Sequence, residues 1–177
     1  MTLSTSNQNK IKEFKRMLGN EITIIEGADI KEVNGTMDEV IIHKAIDAGE
    51  DMLVEDTILI IDGKEVVDIR WNQADKLKNA KKAQWVVSLG YNSGSFIYVY
   101  RGIINGIIVE PLGEGFGFDP YFLPDGSDIT LAQLEAEGNK DKFSARSMAL
   151  FYLKHKNYSF IRDIKNTPAW TGTYQND

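Results

Sequence analysis

The sequence predicts a single domain of the α/β class. The chain has 177 residues, a length that is typical of one domain and that buries roughly 70% of its unfolded surface. Short apolar runs that indicate strands alternate along it with segments whose apolar residues recur at helical spacing. The chain contains no cysteine, so disulfides, thiolate metal sites and thiol catalysis are excluded.

The first predicted elements are a strand over residues 2–5 and a helix whose apolar face carries Ile11, Phe14 and Leu18. Three polar residues lie at the start of this helix: Ser6, Asn7 and Lys10. A helix N-terminus attracts anions, and a lysine there is unfavourable unless an anion is present. These residues form a candidate anion site, with ordinary N-capping by Ser6 or Asn7 as the alternative.

A second strand is predicted over residues 21–26 and a second helix over 36–48. Thr36 and Glu39 have the spacing of a capping box, which favours a structural role for Glu39. His43 lies on the same helix, and an isolated histidine there is more often a surface residue than a ligand.

Adjacent carboxylates follow the third predicted strand. The apolar run 52–54 ends in Glu55, Asp56 and Thr57, and a second apolar run covers 58–61. Carboxylates between apolar runs are costly to bury. They bind a metal, act as a base or face solvent at a strand end, and the apolar flanks favour the functional options.

Further hairpins and one helix are predicted in the middle of the chain. An Asp-Gly pair at 62–63 indicates a turn with a return strand over 65–69. Residues 72–83 are polar and predict a helix with a solvated lysine face. Two strands follow, and the next hairpin has Asn105-Gly106 at its predicted tip.

A glycine-rich loop over residues 113–122 is the most distinctive stretch. Glycine permits close approach of a ligand, Phe116 and Phe118 offer faces on which a base stacks, and Asp119 offers acceptors for ring N–H groups. A Gly-rich turn leading into a buried strand is the alternative. The loop lacks the Gly-Lys-Ser/Thr of a phosphate loop and the spacing of a dinucleotide fingerprint.

The last main helix is predicted to begin at Ser144 as its N-cap. Arg146 shares a face of this helix with apolar residues, so it either extends to the surface or points into a polar pocket. The tail over residues 157–177 is expected to pack on the domain or on a partner in a dimer.

The overall charge narrows the range of partners. The formal net charge is −6, which argues against a nucleic-acid polymer but not against a small phosphorylated ligand held in a local cationic pocket.

The N-terminus lacks the features of a signal peptide. No apolar run approaches the roughly 20 residues of a membrane span.

Three separated motifs resemble those of the inosine/xanthosine triphosphate pyrophosphatase family. They are residues 5–14, with a hydroxylated residue, Asn, Lys and Glu-Phe; the acidic run 54–57; and the glycine loop 115–126. The resemblance extends from about Leu3 to Leu153. Each motif alone is modest, but three in the right order are specific.

The resemblance implies an elongated α/β fold in which two lobes flank a central mixed sheet with helices beside it, and a nucleotide cleft between the lobes. The catalytic domain would cover residues 1–156. The family carries out cytosolic, Mg²⁺-dependent hydrolysis of a purine nucleoside triphosphate to the monophosphate and pyrophosphate, and it usually forms homodimers.

The resemblance also implies roles for individual residues. Asp56 would position or deprotonate the attacking water and bind the metal, Glu55 would lie beside the metal, and Lys10 would hold the triphosphate. Glu39 occupies the place of the family's metal-binding glutamate. Substrate contacts are implied for Ser6, Asn7, Lys10, Thr57, Phe116, Phe118, Asp119, Lys140, Ser144 and Arg146.

The chain departs from the family where the base is recognised. The family's Ser-His-Arg reads Ser144-Ala145-Arg146 here, and Ala145 has no side-chain donor or acceptor. We therefore expect an active enzyme whose base preference differs from inosine and xanthosine. The alternatives are a nucleotide-binding protein without activity, such as a sensor, and a pyrimidine triphosphate pyrophosphatase on the same scaffold.

Overall fold

The computed structural model of the chain describes residues 1–27, 30–66 and 81–175. Its strands are β1 (Thr2–Ser4), β2 (Thr23–Ile25), β3 (Met52–Ile61), β4 (Lys64–Val66), β5 (Lys81–Asn92), β6 (Phe96–Ile108), β7 (Phe122–Pro124) and β8 (Phe160–Asp163). Its helices are α1 (Gln8–Leu18), α2 (Met37–Ala48), α3 (Leu131–Ala136) and α4 (Ala145–Lys154). Short 3₁₀ helices cover Gly19–Glu21, Asp119–Tyr121 and Lys140–Phe143.

The eight strands form one mixed sheet in the order β2-β1-β3-β5-β6-β7, with β4 paired to β3 and β8 paired to β6. β1 is parallel to both β2 and β3, whereas β4, β7 and β8 are antiparallel to their partners. Parallel neighbours require a crossover connection, and α1 and α2 lie in these connections. The predicted α/β class with a mixed central sheet is confirmed.

The chain divides into two compact units. Unit 1 comprises Met1–Asp56, Ser88–Arg101 and Ala149–Asp177, and unit 2 comprises Thr57–Val87 and Gly102–Met148. The three long strands β3, β5 and β6 contribute residues to both units.

The core of unit 1 forms where α2 packs on apolar residues of β3 and β6. Its buried members are Ile41, Ile42, Ala45, Val54, Ile97 and Val99. At the start of α2 the Thr36 side chain accepts the Glu39 N–H while the Glu39 carboxylate accepts the Thr36 N–H, which confirms the predicted capping box. Such a cap stabilises a helix by about 1 kcal/mol.

The core of unit 2 is rich in large side chains, and its buried members include Trp85, Ile108, Phe122 and Leu131. A second capping box, between Thr130 and Gln133, starts α3. None of the helices in the described ranges has the length and apolar composition that a membrane span requires.

The predicted break in the third strand is wrong. β3 runs from Met52 to Ile61 without interruption, so Glu55 and Asp56 lie in the middle of a strand and not at its end. Within this strand, lysine side chains of unit 1 offset the charges of both carboxylates.

The predicted hairpin tip at Asn105-Gly106 is also wrong, because both residues lie within β6. Gly106 is paired with Pro124 of β7, and a Cβ at this position would lie 2.4 Å from the carbonyl oxygen of Leu123. Glycine is required here by the close approach of β7 and not by a turn.

The predicted turn at 62–63 is confirmed, since Asp62 and Gly63 both have positive φ, 49° and 78°, as a type I′ hairpin requires. Its return strand, β4, ends at Val66, and the predicted residues 67–69 lie outside the described residues. The predicted helix over 72–83 lies outside them up to residue 80 and is wrong at 81–83, which begin β5.

The close approach at Gly106 predicts the effect of a single added methyl group. Gly106→Ala should lower the free energy of unfolding by about 2–3 kcal/mol, because β7 must shift to relieve the overlap. The measurement is urea denaturation followed by circular dichroism. Ile103→Ala, at an exposed position of the same strand, is the control and should change stability by less than about 0.5 kcal/mol. Equal effects of the two substitutions would contradict this packing argument.

Candidate functional site

The loop between β1 and α1 presents polar groups at the N-terminus of a helix. The Asn7 side chain accepts the backbone N–H groups of Asn9 and Lys10, both at 3.1 Å, and is the N-cap of α1. The Thr5 hydroxyl accepts the Asn7 N–H at 3.3 Å. Ser6 between them is exposed. The predicted capping by Asn7 is therefore confirmed, and the residues of the predicted anion site lie in the same loop.

Lys10 is held by the first of the two adjacent carboxylates. Its Nζ lies 2.7 Å from Oε2 of Glu55, whose side chain is fully buried. A buried carboxylate is costly unless a charge of opposite sign compensates it. Glu55 therefore fixes the Lys10 side chain beside the polar loop.

Asp56 lies among four charged groups of unit 1. Burial raises its pKa from 3.8 to about 6, and Glu32 and Glu55 act in the same direction, while Lys44 and Lys10 act against it. Burial opposes the charged form of Lys44, but Glu32, Asp56 and Glu55 more than offset this and raise its pKa. Lys44 also forms an ion pair with Glu32 at 2.5 Å. A carboxylate that titrates near neutral pH suits proton transfer from water.

These groups line or adjoin a polar concavity of about 200 Å³. Its lining residues are Ser4, Thr5, Ser6, Asn7, Lys10, Ile30, Glu32 and Lys44. Two lysines and the end of a helix favour an anion such as a phosphate chain. Glu32 supplies a carboxylate to the same space, so the concavity suits an anion that arrives with a cation.

Glu39 lies in a different concavity, which is lined also by His43 and Trp170. Its carboxylate accepts the Thr36 N–H at 2.8 Å. The structure thus brings Glu39 to the helix cap and brings Glu32 to the polar loop. In the described ranges, no group of three or more His, Asp or Glu side chains converges as in a metal site made by protein alone.

Unit 2 carries the second candidate site, which is built on aromatic rings. Lys140 is buried, and its Nζ lies 2.6 Å from Oδ2 of Asp119. The same Nζ lies 5.0 Å from the ring centre of Phe116 and 5.5 Å from that of Trp85. Phe118 packs edge-on against Trp85, with ring centres 5.9 Å apart. The structure therefore brings Lys140 together with the glycine loop, and Asp119 forms an ion pair with Lys140.

The glycine loop needs its glycines for two different reasons. Gly117 has a φ of 60°, which favours glycine. A Cβ on Gly115 would lie 3.0 Å from Cβ of Asp119 and 3.1 Å from Cβ of Ala132. The loop is thereby held close to α3 and the two phenylalanines are kept in place.

Arg146 completes the aromatic site of unit 2. It is 1% exposed, so it does not extend to the surface. Its guanidinium carbon lies 5.8 Å from the ring centre of Trp85, and it donates to the Thr57 hydroxyl at 3.1 Å. The Ser144 hydroxyl accepts the Ser147 N–H at 3.1 Å and caps α4 as predicted.

Among the charged and aromatic residues of these sites, three were not predicted: Glu32, Lys44 and Trp85. The sequence pattern could have indicated Lys44, because it lies between Ile41 and Ala45 on the buried side of α2 and a lysine there needs a partner of opposite charge. The indication for Trp85 was weak, since it is only a large aromatic residue in a strand of buried residues. The sequence gives no indication for Glu32, because the segment before α2 shows no periodicity.

A concavity of about 580 Å³, larger than the polar concavity of unit 1, contains none of the predicted site residues. It is lined by Ile60, Asp62, Gly63, Lys82, Ala83, Gln84, Asn105, Gly106, Ile107 and Asp125. Its size therefore does not identify the functional site.

Comparisons with known proteins agree with the motifs. The family model of the Ham1 family matches residues 1–156. An inosine triphosphate pyrophosphatase of Scheffersomyces stipitis is 31% identical over 87% of this chain and 95% of its own length. Another of Podospora anserina is 33% identical over 85% and 89%, and a dITP/XTP pyrophosphatase of Hyperthermus butylicus is 27% identical over 83% and 88%.

A solved structure supports the fold. The Staphylococcus aureus Ham1 protein superposes with a TM-score of 0.68 at 24% identity, over 88% of this chain and 97% of that one. At this identity the likeness bears on the fold alone.

The raised pKa of Asp56 predicts a pH-dependent difference in stability between the wild type and Asp56→Asn. The folded state holds the Asp56 proton more tightly than the unfolded state does. Protonation of Asp56 therefore stabilises the fold fully below pH 3.8, and this stabilisation is lost as the pH rises through about 6. Asparagine does not ionise. The free energy of unfolding of the variant minus that of the wild type should therefore grow by about 1–3 kcal/mol between about pH 4 and about pH 7.

The measurement is urea denaturation of both proteins in EDTA, so that no metal compensates the carboxylate. Asp128→Asn, at an exposed loop carboxylate, is the matched control and should show no such trend. A constant difference between Asp56→Asn and the wild type across this range would refute the assigned environment of Asp56.

Proposed function

The chain belongs to the Ham1 family, and we propose that it hydrolyses a nucleoside triphosphate to the monophosphate and pyrophosphate. The observation that carries the proposal is the polar concavity of unit 1. It combines Lys10, Lys44 and a helix N-terminus with Glu32 and the neighbouring Asp56, whose pKa is raised to about 6. Phosphoryl transfer depends on positioning and charge neutralisation, and this set of groups provides both.

The proposed chemistry uses Asp56 as the base. Above about pH 6 its carboxylate is ionised and accepts a proton from water. The water oxygen bonds to the α-phosphorus, the α–β anhydride bond breaks, and pyrophosphate leaves. Lys10 and Lys44 offset the charge of the phosphates. The backbone N–H groups and hydroxyls of the loop at 5–7 orient them.

The residues of unit 1 also suit Mg²⁺, which we propose as the cofactor. Mg²⁺ takes oxygen ligands and is usually bound by one or two carboxylates together with substrate phosphates. Glu32 and Asp56 would supply these carboxylates. When bound, the ion would neutralise phosphate charge and polarise the P–O bond under attack. The family resemblance favours Glu39 instead, but its engagement in the helix cap makes Glu32 our choice.

The aromatic site of unit 2 has groups that suit a nucleobase. Phe116 and Phe118 offer ring faces, and Lys140 and Arg146 offer donors to a carbonyl oxygen of the base. The buried indole Nε1 of Trp85 has no hydrogen-bond partner among the described residues, so a ligand acceptor would satisfy it. These donors favour a base with exocyclic oxygen.

We propose that base selectivity differs from that of the named relatives. Ala145 is fully buried and supplies no polar group to a base. A histidine at this position would need about 1–3 kcal/mol of repacking, so the substrate preference of the wild type is the direct test. The homodimer and the cytosolic location implied by the resemblance stay predictions, which size-exclusion chromatography with light scattering and cell fractionation would test.

The experiment for the function is pyrophosphate release with Mg²⁺ across a panel of ribo- and deoxynucleoside triphosphates, including inosine, xanthosine and the standard bases. We expect fast release from at least one of them. In Asp56→Asn the turnover should fall by roughly 10²–10⁴-fold because the base is lost, while nucleotide binding persists. Binding without release from any substrate in the wild type would favour the inactive binding protein, and preference for a pyrimidine would favour the pyrimidine enzyme.

A comparison of two glutamates tests the metal assignment. Glu32→Gln should raise the Mg²⁺ concentration for half-maximal activity by roughly 10-fold or more, because a carboxylate ligand is lost. Glu39→Gln should preserve the capping box, because a glutamine already accepts the equivalent N–H in the Thr130–Gln133 cap, and it should leave this concentration near the wild-type value. If the Mg²⁺ requirement rose in Glu39→Gln and not in Glu32→Gln, the metal ligand would be Glu39.

A further inference from the structure

We propose that residues 164–175, which follow β8, are a positioning segment that holds Glu32 in the candidate site. This segment lies beyond the residues matched by the family model. The inference deepens the proposed function, because Glu32 is the carboxylate that we assign to the metal.

The segment begins from a firm anchor. β8 pairs with β6 from Phe160 to Asp163, and the Ile164 N–H donates to the Ser95 carbonyl at 3.0 Å. Asp163 then forms the turn, since its carboxylate accepts the Lys165 N–H at 2.9 Å and the Asn166 side chain at 2.7 Å. The chain is thereby directed back over unit 1.

Trp170 provides the second anchor. Its ring packs edge-on against His43 of α2, with ring centres 5.4 Å apart. Its indole N–H donates to the Thr173 carbonyl at 2.9 Å. A Cβ on Gly35 would lie 2.9 Å from this ring, so the tryptophan packs closely on the segment that leads into α2.

The end of the chain pairs directly with the backbone that carries Glu32. The Gln175 N–H donates to the Glu32 carbonyl and the Asn34 N–H donates to the Thr173 carbonyl, both at 2.9 Å. Val33 and Tyr174 thereby form an antiparallel bridge. The Gln175 side chain adds a bond to the Val33 carbonyl at 3.2 Å. The Glu32 backbone is thus bound on one side by residues 173–175.

The same segment also restrains the neighbours of Glu32. The Asn34 side chain donates to the Thr173 hydroxyl at 3.2 Å, and the Lys31 Nζ lies 5.4 Å from the ring centre of Tyr174. Residues 31–34 have no place in the sheet or in a helix. The geometry of residues 31–34 therefore depends on their pairing with the tail. The same pairing thereby fixes the orientation of the Glu32 carboxylate toward Lys44.

The test uses Gln175→Pro, which removes both the backbone donor to Glu32 and the side-chain donor to Val33. A chain ending at Trp170 is the second variant. Thr171→Ala, at an exposed position of the same segment, is the control. The first readout is hydrogen exchange of the Asn34 amide by NMR in metal-free protein, which we expect to speed up roughly 10-fold or more in both test variants and to stay unchanged in the control.

The second readout is a double-mutant cycle with Glu32→Gln. Both test variants should raise the half-saturating Mg²⁺ concentration by roughly 10-fold, as expected when the support of a metal ligand is lost. This effect should vanish when Glu32 is already Gln, because a segment that acts through Glu32 has nothing left to position. Equal effects in both backgrounds would overturn the proposal and indicate a general stabilising role.

The two readouts separate the possible failures. If no nucleotide is hydrolysed by the wild type, the proposed function fails, and the exchange of the Asn34 amide still decides whether the tail orders the Glu32 segment. If exchange is unchanged in Gln175→Pro and in the shortened chain, the positioning proposal fails whatever the activity.

Discussion

The candidate site of unit 1 depends on a balance between burial and opposite charge. Burial alone would drive Asp56 to its neutral form, and Lys44 and Lys10 hold its pKa at about 6. The same lysines are retained in a partly buried place because Glu32 and Glu55 compensate them. Removal of one partner would leave a partly buried charge uncompensated, which is costly. The groups that would bind the phosphates in the proposed function therefore also hold one another in place.

The continuous strand β3 separates the tasks of its two adjacent carboxylates. Successive side chains of a strand point to opposite faces, so Glu55 and Asp56 meet different surroundings. Glu55 is fully buried against Lys10 of α1, whereas Asp56 is partly exposed and is most strongly influenced, after burial, by Lys44 of α2. One carboxylate is paired with a lysine, and its neighbour stays partly exposed, as its proposed role as a base requires.

Unit 2 uses a different principle, in which cations lie over aromatic rings. Lys140 and Arg146 are buried against Trp85. Cation–π attraction and the Asp119 carboxylate offset part of the free-energy cost of removing these cations from water. Such a site presents donors with little freedom to rotate. It suits recognition of a flat ligand by stacking and by hydrogen bonds at its edge.

The sequence by itself determined the helix caps, the turn at 62–63, the α/β class and the motifs that identify the family, because these depend on residues close together in the chain. It also indicated Lys10, Asp56, the glycine loop and Arg146 as members of candidate sites. Only the tertiary structure decided that Glu32 and Lys44 accompany Asp56, and that Gly106 serves strand packing and not a turn. The partner of each of these residues lies far away in sequence, and periodicity carries no information about such pairs. The tail shows the same limit, since its pairing with residues 32–34 joins segments about 140 residues apart.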